Sequence, residues 1–297
     1  MIYGSFMENR LLMISWLVKQ VLPQWLLDWM NLKMTKIHDT AIISSSVKVG
    51  KDVTIGPFCN IYGDVTIGDK VTLLSHISVS GRTTIGEGTK IWPFSVIGSE
   101  PQDLKYDDEN SALVIGSNNK IREHVTMHSG TKEGGMITEI GDNNLFMVGA
   151  HIAHDCKVGN NCVFANNATL AGHVEVGDWA ILGGLSAVHQ WSRVGCHSFI
   201  GGLAAVTRDL LPFGMAVGNR ANLEGVNLVG MRRRNFSKNE IEEVKRAYSI
   251  LFDENELEFK SRVKKLSEEK FEFNSAKIIT SFVSVETNRA YVSPTEV

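Results

Sequence analysis

The chain lacks most of the features that assign a function quickly. Its formal net charge is −3 over 297 residues. So near-neutral a balance gives no whole-chain argument for a nucleic-acid partner. Only four cysteines occur, Cys59, Cys156, Cys162 and Cys196, and no two form a CxxC pair. Disulfide frameworks and zinc knuckles are therefore not expected, and reduced thiols in a cytoplasmic protein are. No clean membrane span is present. Leu11 to Met30 is apolar but is broken by Lys19, Gln20, Pro23, Gln24 and Asp28. No small-residue cleavage site follows it, which argues against a secretory signal. Leu26, Leu27, Trp29 and Met30 fit one face of an amphipathic surface helix, although an accessory extension over residues 1–33 is the simpler expectation. The chain also shows no serine or cysteine nucleophile motif.

What is present is a repeat. From Ile43 an aliphatic residue recurs every six positions, through Val49, Ile55, Ile61, Ile67, Leu73, Val79, Ile85, Ile91 and Ile97. The series resumes at Ile115, Ile121 and Met127, then runs from Ile140 through Phe146, Ile152, Val158 and Phe164 to Val206. Glycine often follows directly, as at Gly50, Gly56, Gly68 and Gly86. A small or β-branched residue often stands two positions before, as at Val53, Cys59, Cys156 and Cys162. Six is not a helical period, because a 3.6-residue turn would rotate these positions off one face. A six-residue strand-and-turn unit keeps them in register. Three units make a triangular coil of eighteen residues, and stacked coils bury one continuous core, giving a mainly β parallel β-helix of roughly eight coils. Glycine is expected at the tight corners.

The pattern is interrupted twice. Ser99 to Ser111 carries Asp103 and Glu109 where aliphatic residues belong, and it reads as a loop bulging from a coil that keeps its eighteen-residue phase from Ile97 to Ile115. Thr131 to Ile137, with Gly134 and Gly135, is the second break. Long loops on a regular solenoid often carry function. Beyond Val206 the repeat stops, and Pro212 and Gly214 mark a linker. Ser237 to Glu240 reads as a capping box opening a helix to about Phe252, with further helical stretches at Leu257 to Glu269 and Ala276 to Val285. The expected organisation is an extension over 1–33, a β-helix over 34–211 and a small α-helical domain over 212–297.

The repeat has a chemical consequence. Residues eighteen apart should stack about 4.8 Å apart, as hydrogen-bonded parallel strands do. His154 then lies under Gly172, Asp155 under His173, and Ala171 under His189. Three histidines distant in sequence fall in neighbouring columns. An imidazole near neutral pKa can take a proton from a hydroxyl, a carboxylate such as Asp155 can fix its tautomer, and the Gly172 backbone N–H is an approachable oxyanion donor. Without a nucleophile motif, direct transfer to a hydroxyl acceptor is expected rather than an acyl-enzyme. A solvated polar column would also collect such residues.

At these residues the sequence resembles the UDP-N-acetylglucosamine O-acyltransferases that begin lipid A synthesis. The specific stretches are Gln102 to Tyr106, Ile121 to Glu123, His151 to Cys156, Ala165 to His173 and Ala187 to Gln190. The resemblance runs from about Thr35 to the C-terminal helices. It implies a left-handed β-helix, a homotrimer with sites between subunits, and transfer of a 3-hydroxyacyl chain from acyl carrier protein to UDP-N-acetylglucosamine, without a cofactor. It further implies His154 as general base with Asp155 beside it, and Gly172 as oxyanion donor. Asp103 and Lys105 would hold the sugar nucleotide, helped by Gln102, His128, His151, His173 and Gln190. His189 would lie along the acyl groove with Gly202 as its floor, and Asn227, Arg233 and Arg234 would meet phosphates or the acidic carrier. Where the family often has a glutamate two residues after Asn227, this chain has Val229, so the ribose contact of that carboxylate is not implied here.

Two rivals belong to other classes. One is a zinc site held by His151, His154 and His173, as in γ-class carbonic anhydrases, whose histidine spacing is wider than His151-x-x-His154; no metal is expected. The other is a non-catalytic binding solenoid, against which the polar columns and bulged loop argue.

Overall fold

The repeat closes into three parallel sheets that form a left-handed β-helix. The computed structural model describes residues 35–253, 258–285, 287 and 289–294, and residues 36–297 form one compact unit. The expectations for residues 1–33 lie outside the described residues. Most strands are only two residues long, and successive strands pass in turn to sheets of eleven, nine and eight strands. The hexad positions stack as expected. Ile37, Ile55, Leu73 and Ile91 are successive register partners in the first sheet, and Phe146, Phe164, Leu182 and Ile200 continue the column. From Ile55 onward their side chains fill the coil interior, where Phe146 and Phe164 stack at 4.8 Å between ring centroids. Cys59, Cys156 and Cys162 are buried at the small-residue positions. Burial pushes the Cys156 and Cys162 thiols up to about 12, which makes them packing groups rather than nucleophiles.

Two expectations need correction. Ile97 and Ile115 do not stack. Ile97 pairs with Met127 in the second sheet, while Ile115 pairs with Ile85 and Ile140 in the third. The bulged loop inserts the length of two hexads, so it preserves the six-residue phase and is hidden from a periodicity argument. The corners are also not built mainly from glycine. Their left-handed positions hold Asp52, Asn118, Asn161, His173 and Trp191, among others. The glycines after the aliphatic positions serve close packing between coils: a Cβ on Gly56 would stand 1.5 Å from the Leu74 carbonyl oxygen.

The first sheet continues past Leu211, since Gly214–Val217 pairs in parallel with Phe199–Ile200 and antiparallel with Asn222–Val226. Four helices follow: α1 Leu228–Arg233, α2 Lys238–Leu251, α3 Phe259–Glu268 and α4 Asn274–Ser284. Ser237 caps α2 by accepting from the Glu240 N–H at 3.2 Å. The Glu240 carboxylate does not complete the capping box; it accepts from the Ser275 hydroxyl of α4. Val244, Ala247, Tyr248 and Leu251 of α2 join the same apolar cluster as Leu210, Leu211 and Phe213, and so close the end of the coil. No described helix is long and apolar enough to cross a membrane.

One corner replaces apolar residues with an asparagine ladder. Asn119 and Asn144 are at most 1% exposed. Asn119 Oδ1 accepts from the Asn144 N–H at 2.9 Å, and Asn144 Oδ1 from the Cys162 N–H at 2.7 Å. Their amide groups donate to the carbonyls of Gly116, Gly141 and Gly159. Removing such a side chain strands buried backbone groups at a cost of about 1–3 kcal/mol each. Asn144→Ala is therefore expected to cost about 2–4 kcal/mol, read as a thermal midpoint lower by roughly 5–10 °C. The exposed Lys157→Ala on the same coil should shift stability by less than about 0.5 kcal/mol. Equal midpoints for the two variants would show that the ladder contributes nothing.

Candidate active site

The second sheet delivers His151 from the strand His151–Ile152, and the corner after it delivers His154 and Asp155. Asp155 takes a left-handed conformation at φ 59°, which short polar side chains tolerate well. One coil further on, His173 repeats that conformation at φ 60° and its N–H donates to the His154 carbonyl at 3.0 Å. The eighteen-residue stacking thus brings together the pair read from sequence. The rings of His154 and His173 meet edge to face at 4.9 Å.

Asp155 is the centre of this cluster. Its carboxylate accepts from His154 Nδ1 at 2.7 Å, from the Thr131 hydroxyl at 2.6 Å and from the Thr131 N–H at 2.8 Å. His173 Nδ1 lies 3.7 Å away. Burial opposes ionisation of Asp155, yet the hydrogen bonds from His154 and Thr131 hold its carboxyl below the usual carboxylate value. An ionised carboxylate only accepts, so the proton of neutral His154 sits on Nδ1 and Nε2 keeps its lone pair. The His154 ring lies against Gly172. A Cβ there would stand 2.4 Å from His154 Cε1 and 2.6 Å from Nε2, so any other residue would displace the imidazole. The Gly172 carbonyl accepts from the Trp191 N–H at 3.1 Å, whereas its own N–H meets no acceptor among the described residues. The cluster therefore offers a free imidazole lone pair beside an unengaged backbone donor.

His154 is only 6% exposed and Asp155 4%. The cause is the second interruption of the repeat: its turn, Lys132–Gly134, packs against Asp155. Trp191 was also missed in the sequence. It stacks on His173 at 3.7 Å and 3°, and its position eighteen residues beyond His173 was the available signal. His189, placed by sequence near the other two histidines, is exposed, and among the described residues its ring bonds only to the neighbouring Gln190 carbonyl at 3.2 Å.

His151 Nδ1 pairs with the Thr126 hydroxyl at 2.7 Å, and its ring meets that of His128 at 5.3 Å. His128 Nδ1 donates to the Glu100 carbonyl at 2.5 Å, at the foot of the bulged loop. A cavity of about 810 Å³ opens beside His128, and Gln102, Tyr62 and Arg82 also line it. On the loop, Asp103 accepts from the Lys105 N–H at 3.0 Å, and Lys105 Nζ pairs with Glu133 at 2.9 Å. Asp103 and Glu133 both lie close enough to act on the charge of His173. A larger cavity of about 890 Å³ sits among Phe252, Phe259, Val263 and Tyr291. Its described lining has no histidine or carboxylate, so volume alone does not mark the chemistry.

The remaining predicted residues are engaged in structure or lie open. Asn227 is 5% exposed; it caps α1 by accepting from the Gly230 N–H at 3.0 Å and donates to the His197 carbonyl at 2.9 Å. Arg234 donates to the Trp179 carbonyl at 2.8 Å and lies over that ring at 5.2 Å. Arg233, Gln190 and Gly202 are exposed. His154, Asp155 and His173, rather than the trio with His151, place donor atoms within 4.8 Å of one another.

Comparison with known proteins agrees with the fold. The family model for UDP N-acetylglucosamine O-acyltransferase domain 2 matches residues 209–292, and that for bacterial transferase hexapeptide repeats matches 46–76 and 137–172. The acyl-[acyl-carrier-protein]–UDP-N-acetylglucosamine O-acyltransferase of Rickettsia bellii is 55% identical over 87% of this chain and 92% of its own. Its namesake in Rickettsia canadensis is 54% identical over 86% and 97%. Among solved structures, the UDP-N-acetylglucosamine acyltransferase of Francisella novicida superposes with a TM-score of 0.84 at 34% identity, covering 88% of this chain and 95% of that one. That of Campylobacter jejuni gives 0.80 at 39% identity, covering 88% and 100%.

The buried imidazoles set a pH dependence. Burial lowers His151 to about 4, with His128 and His154 adding to the effect, and burial likewise lowers His197 to about 4. In the unfolded chain both would titrate at about 6.5. Between these values the unfolded chain binds more protons, so folding stability is full above about pH 6.5 and declines as pH falls toward about 4. Thermal midpoints measured across that window should fall steadily, and a His197→Phe variant, which keeps the ring stack, should flatten the decline. A midpoint unchanged down to pH 4 would contradict the burial argument.

Proposed function

The chain belongs to the acyl-[acyl-carrier-protein]–UDP-N-acetylglucosamine O-acyltransferase family and is an acyltransferase, and from that premise we propose that it moves a 3-hydroxyacyl chain from acyl carrier protein to the 3-hydroxyl of UDP-N-acetylglucosamine, with His154 as general base. The observation that carries this reading is the His154–Asp155 hydrogen bond at 2.7 Å, with the imidazole lying on Gly172. Asp155 holds the Nδ1–H tautomer. His154 Nε2 takes the proton of the sugar hydroxyl as its oxygen attacks the thioester carbonyl carbon. The oxyanion of the tetrahedral intermediate meets the Gly172 N–H. As the intermediate collapses, the C–S bond breaks and the imidazolium returns its proton to the departing thiolate. No acyl-enzyme is required.

The bulged loop and the cavity beside His128 supply polar groups for the sugar nucleotide: Gln102, Asp103, Lys105 and His128, with His151, His173 and Gln190 nearby. The pairing of Lys105 with Glu133 is exposed on both sides, and a phosphate replaces such a partner at little cost. Arg233 is free to meet a phosphate or an acidic carrier protein, while Arg234 and Asn227 act by holding α1 in place. A homotrimer with sites between subunits completes the proposal, and His189 lies along the donor groove.

Gly202 sits on the same corner as Gly184, one coil on. Its φ is not in the left-handed region, and a Cβ there would meet the Gly184 carbonyl oxygen at 3.2 Å and otherwise open space. A side chain there needs the Gly184 carbonyl to give by a few tenths of an ångström and beyond it meets open space. Gly202 stands under three coils from His154, on the order of 13 Å along the axis, which suits the floor of a long acyl groove.

Purified protein with UDP-N-acetylglucosamine and a 3-hydroxyacyl carrier thioester should give the O-acylated sugar nucleotide by mass spectrometry. His154→Ala should lower its formation by about 10² to 10⁴ with the assembly unchanged; near-full turnover would refute the base assignment. In Gly202→Met, preference across a series of acyl-carrier thioesters should move sharply to shorter chains with turnover on them retained. An unchanged length profile, or equal loss at every length, would leave Gly202 as a corner residue alone.

A further inference from the structure

The turn inserted between Thr126–His128 and Ile137–Ile140 lies over the catalytic pair. Its fold is internally fixed, because the Thr131 carbonyl accepts from the N–H groups of both Gly134 and Met136, at 3.1 and 2.9 Å. Both ends are tied to the preceding coil, with Gly130 N–H on the Ala112 carbonyl and Ala112 N–H on the Met136 carbonyl. Thr131 is 3% exposed and presents its hydroxyl and its N–H to the two oxygens of Asp155. Thr138, at the other end of the turn, accepts from the Asp155 N–H at 2.8 Å. Gly134 passes so close that a Cβ would stand 2.0 Å from Asp155 Cγ. The carboxylate is thus gripped by one short segment, whose Thr131 hydroxyl shares Oδ2 with His154 Nδ1 while the Thr131 N–H holds Oδ1.

We propose that Thr131 is a positioning residue for acyl transfer: through its two hydrogen bonds it fixes the rotamer of Asp155, and so the tautomer and aim of His154. The inference rests on the reading of His154 as base. Asp155 has one rotatable bond between backbone and carboxyl plane beyond χ1, so without Thr131 the carboxylate can turn from His154 toward His173, 3.7 Å away. A misaligned base costs rate even when every catalytic group is present, by as much as about 10²-fold for displacements near 1 Å. Thr131 touches no reacting atom in this scheme. Its loss should therefore appear in kcat and leave KM for both substrates almost unchanged. The sign of the pH effect follows from the carboxyl: Thr131 is among the groups that lower the Asp155 pKa. Removing the hydroxyl lets that pKa rise, less of the carboxylate is ionised at a given acidic pH, and the acid limb of the activity profile moves to higher pH.

The test uses the full-length enzyme and three variants. Thr131→Val keeps the shape and removes the hydroxyl. It should lower kcat about ten- to a hundredfold, hold both KM values within about twofold, and shift the acid limb upward. Thr131→Ser restores the donor and should recover most of kcat and the original limb. In an Asp155→Asn background, Thr131→Val should have no further effect, since the two act as one unit. Nitrogen-15 histidine spectra provide a readout independent of turnover: Thr131→Val should weaken the Nδ1–H tautomer of His154. If that tautomer changes while His154→Ala keeps its activity, the positioning role stands and the base assignment falls. A Thr131→Val enzyme with the wild-type kcat, pH profile and tautomer would overturn the proposal, as would an equal loss in Thr131→Ser.

Discussion

Everything in this molecule depends on the hydrogen bonding of one coil to the next. Parallel strands fix the coil spacing and the register together, so a residue is placed above its partner one coil earlier, whatever its side chain. The interior therefore needs only to be apolar and of suitable size. The corners are less demanding than a glycine-based view suggests, because asparagine, aspartate, histidine and even tryptophan occupy left-handed positions there. The glycines are required where backbone passes over backbone. This rigidity suits catalysis, since groups built on regular elements are held more precisely than groups on free loops.

The cluster of His154, Asp155 and His173 arises where that regularity is broken. Strict stacking would leave His154 and Asp155 on an open corner beside His173. The inserted turn from Thr131 covers them, and it supplies the carboxylate with the donors that make burial of a charge tolerable. The bulged loop brings Asp103 and Lys105 toward the same histidines, and Lys105 meets Glu133 of the turn. Two insertions of unequal length, entering from adjacent coils, thus converge on one corner. The coil supplies the geometry of His154, and the insertions supply its electrostatic setting.

Asn227 and Arg234 illustrate a different relation between residue type and role. The family resemblance assigns both to contacts with phosphates or an acidic carrier protein. In the fold Asn227 Nδ2 donates to the His197 carbonyl and its Oδ1 accepts from the Gly230 N–H at the start of α1, while Arg234 donates to the Trp179 carbonyl. Both therefore hold in place the helix α1 that carries Arg233.

The fold was largely legible in the sequence, because six-residue periodicity has one economical structural solution and because Ser237 and Glu240 announce the start of α2. The pairing of His154 with Gly172, and of Asp155 with His173, was also legible, since a fixed coil length converts sequence separation into distance. Other features were decided only in three dimensions. The assignment of Ile97 and Ile115 to different sheets was hidden, because a twelve-residue insertion leaves a six-residue phase intact. The burial of His154 was hidden, because the turn that covers it belongs to the irregular part of the chain, where no period constrains the path. The grip of Thr131 on Asp155 was hidden for the same reason: 24 residues separate them, and a distance that is not a multiple of the coil carries no spatial meaning until the loop between them is folded.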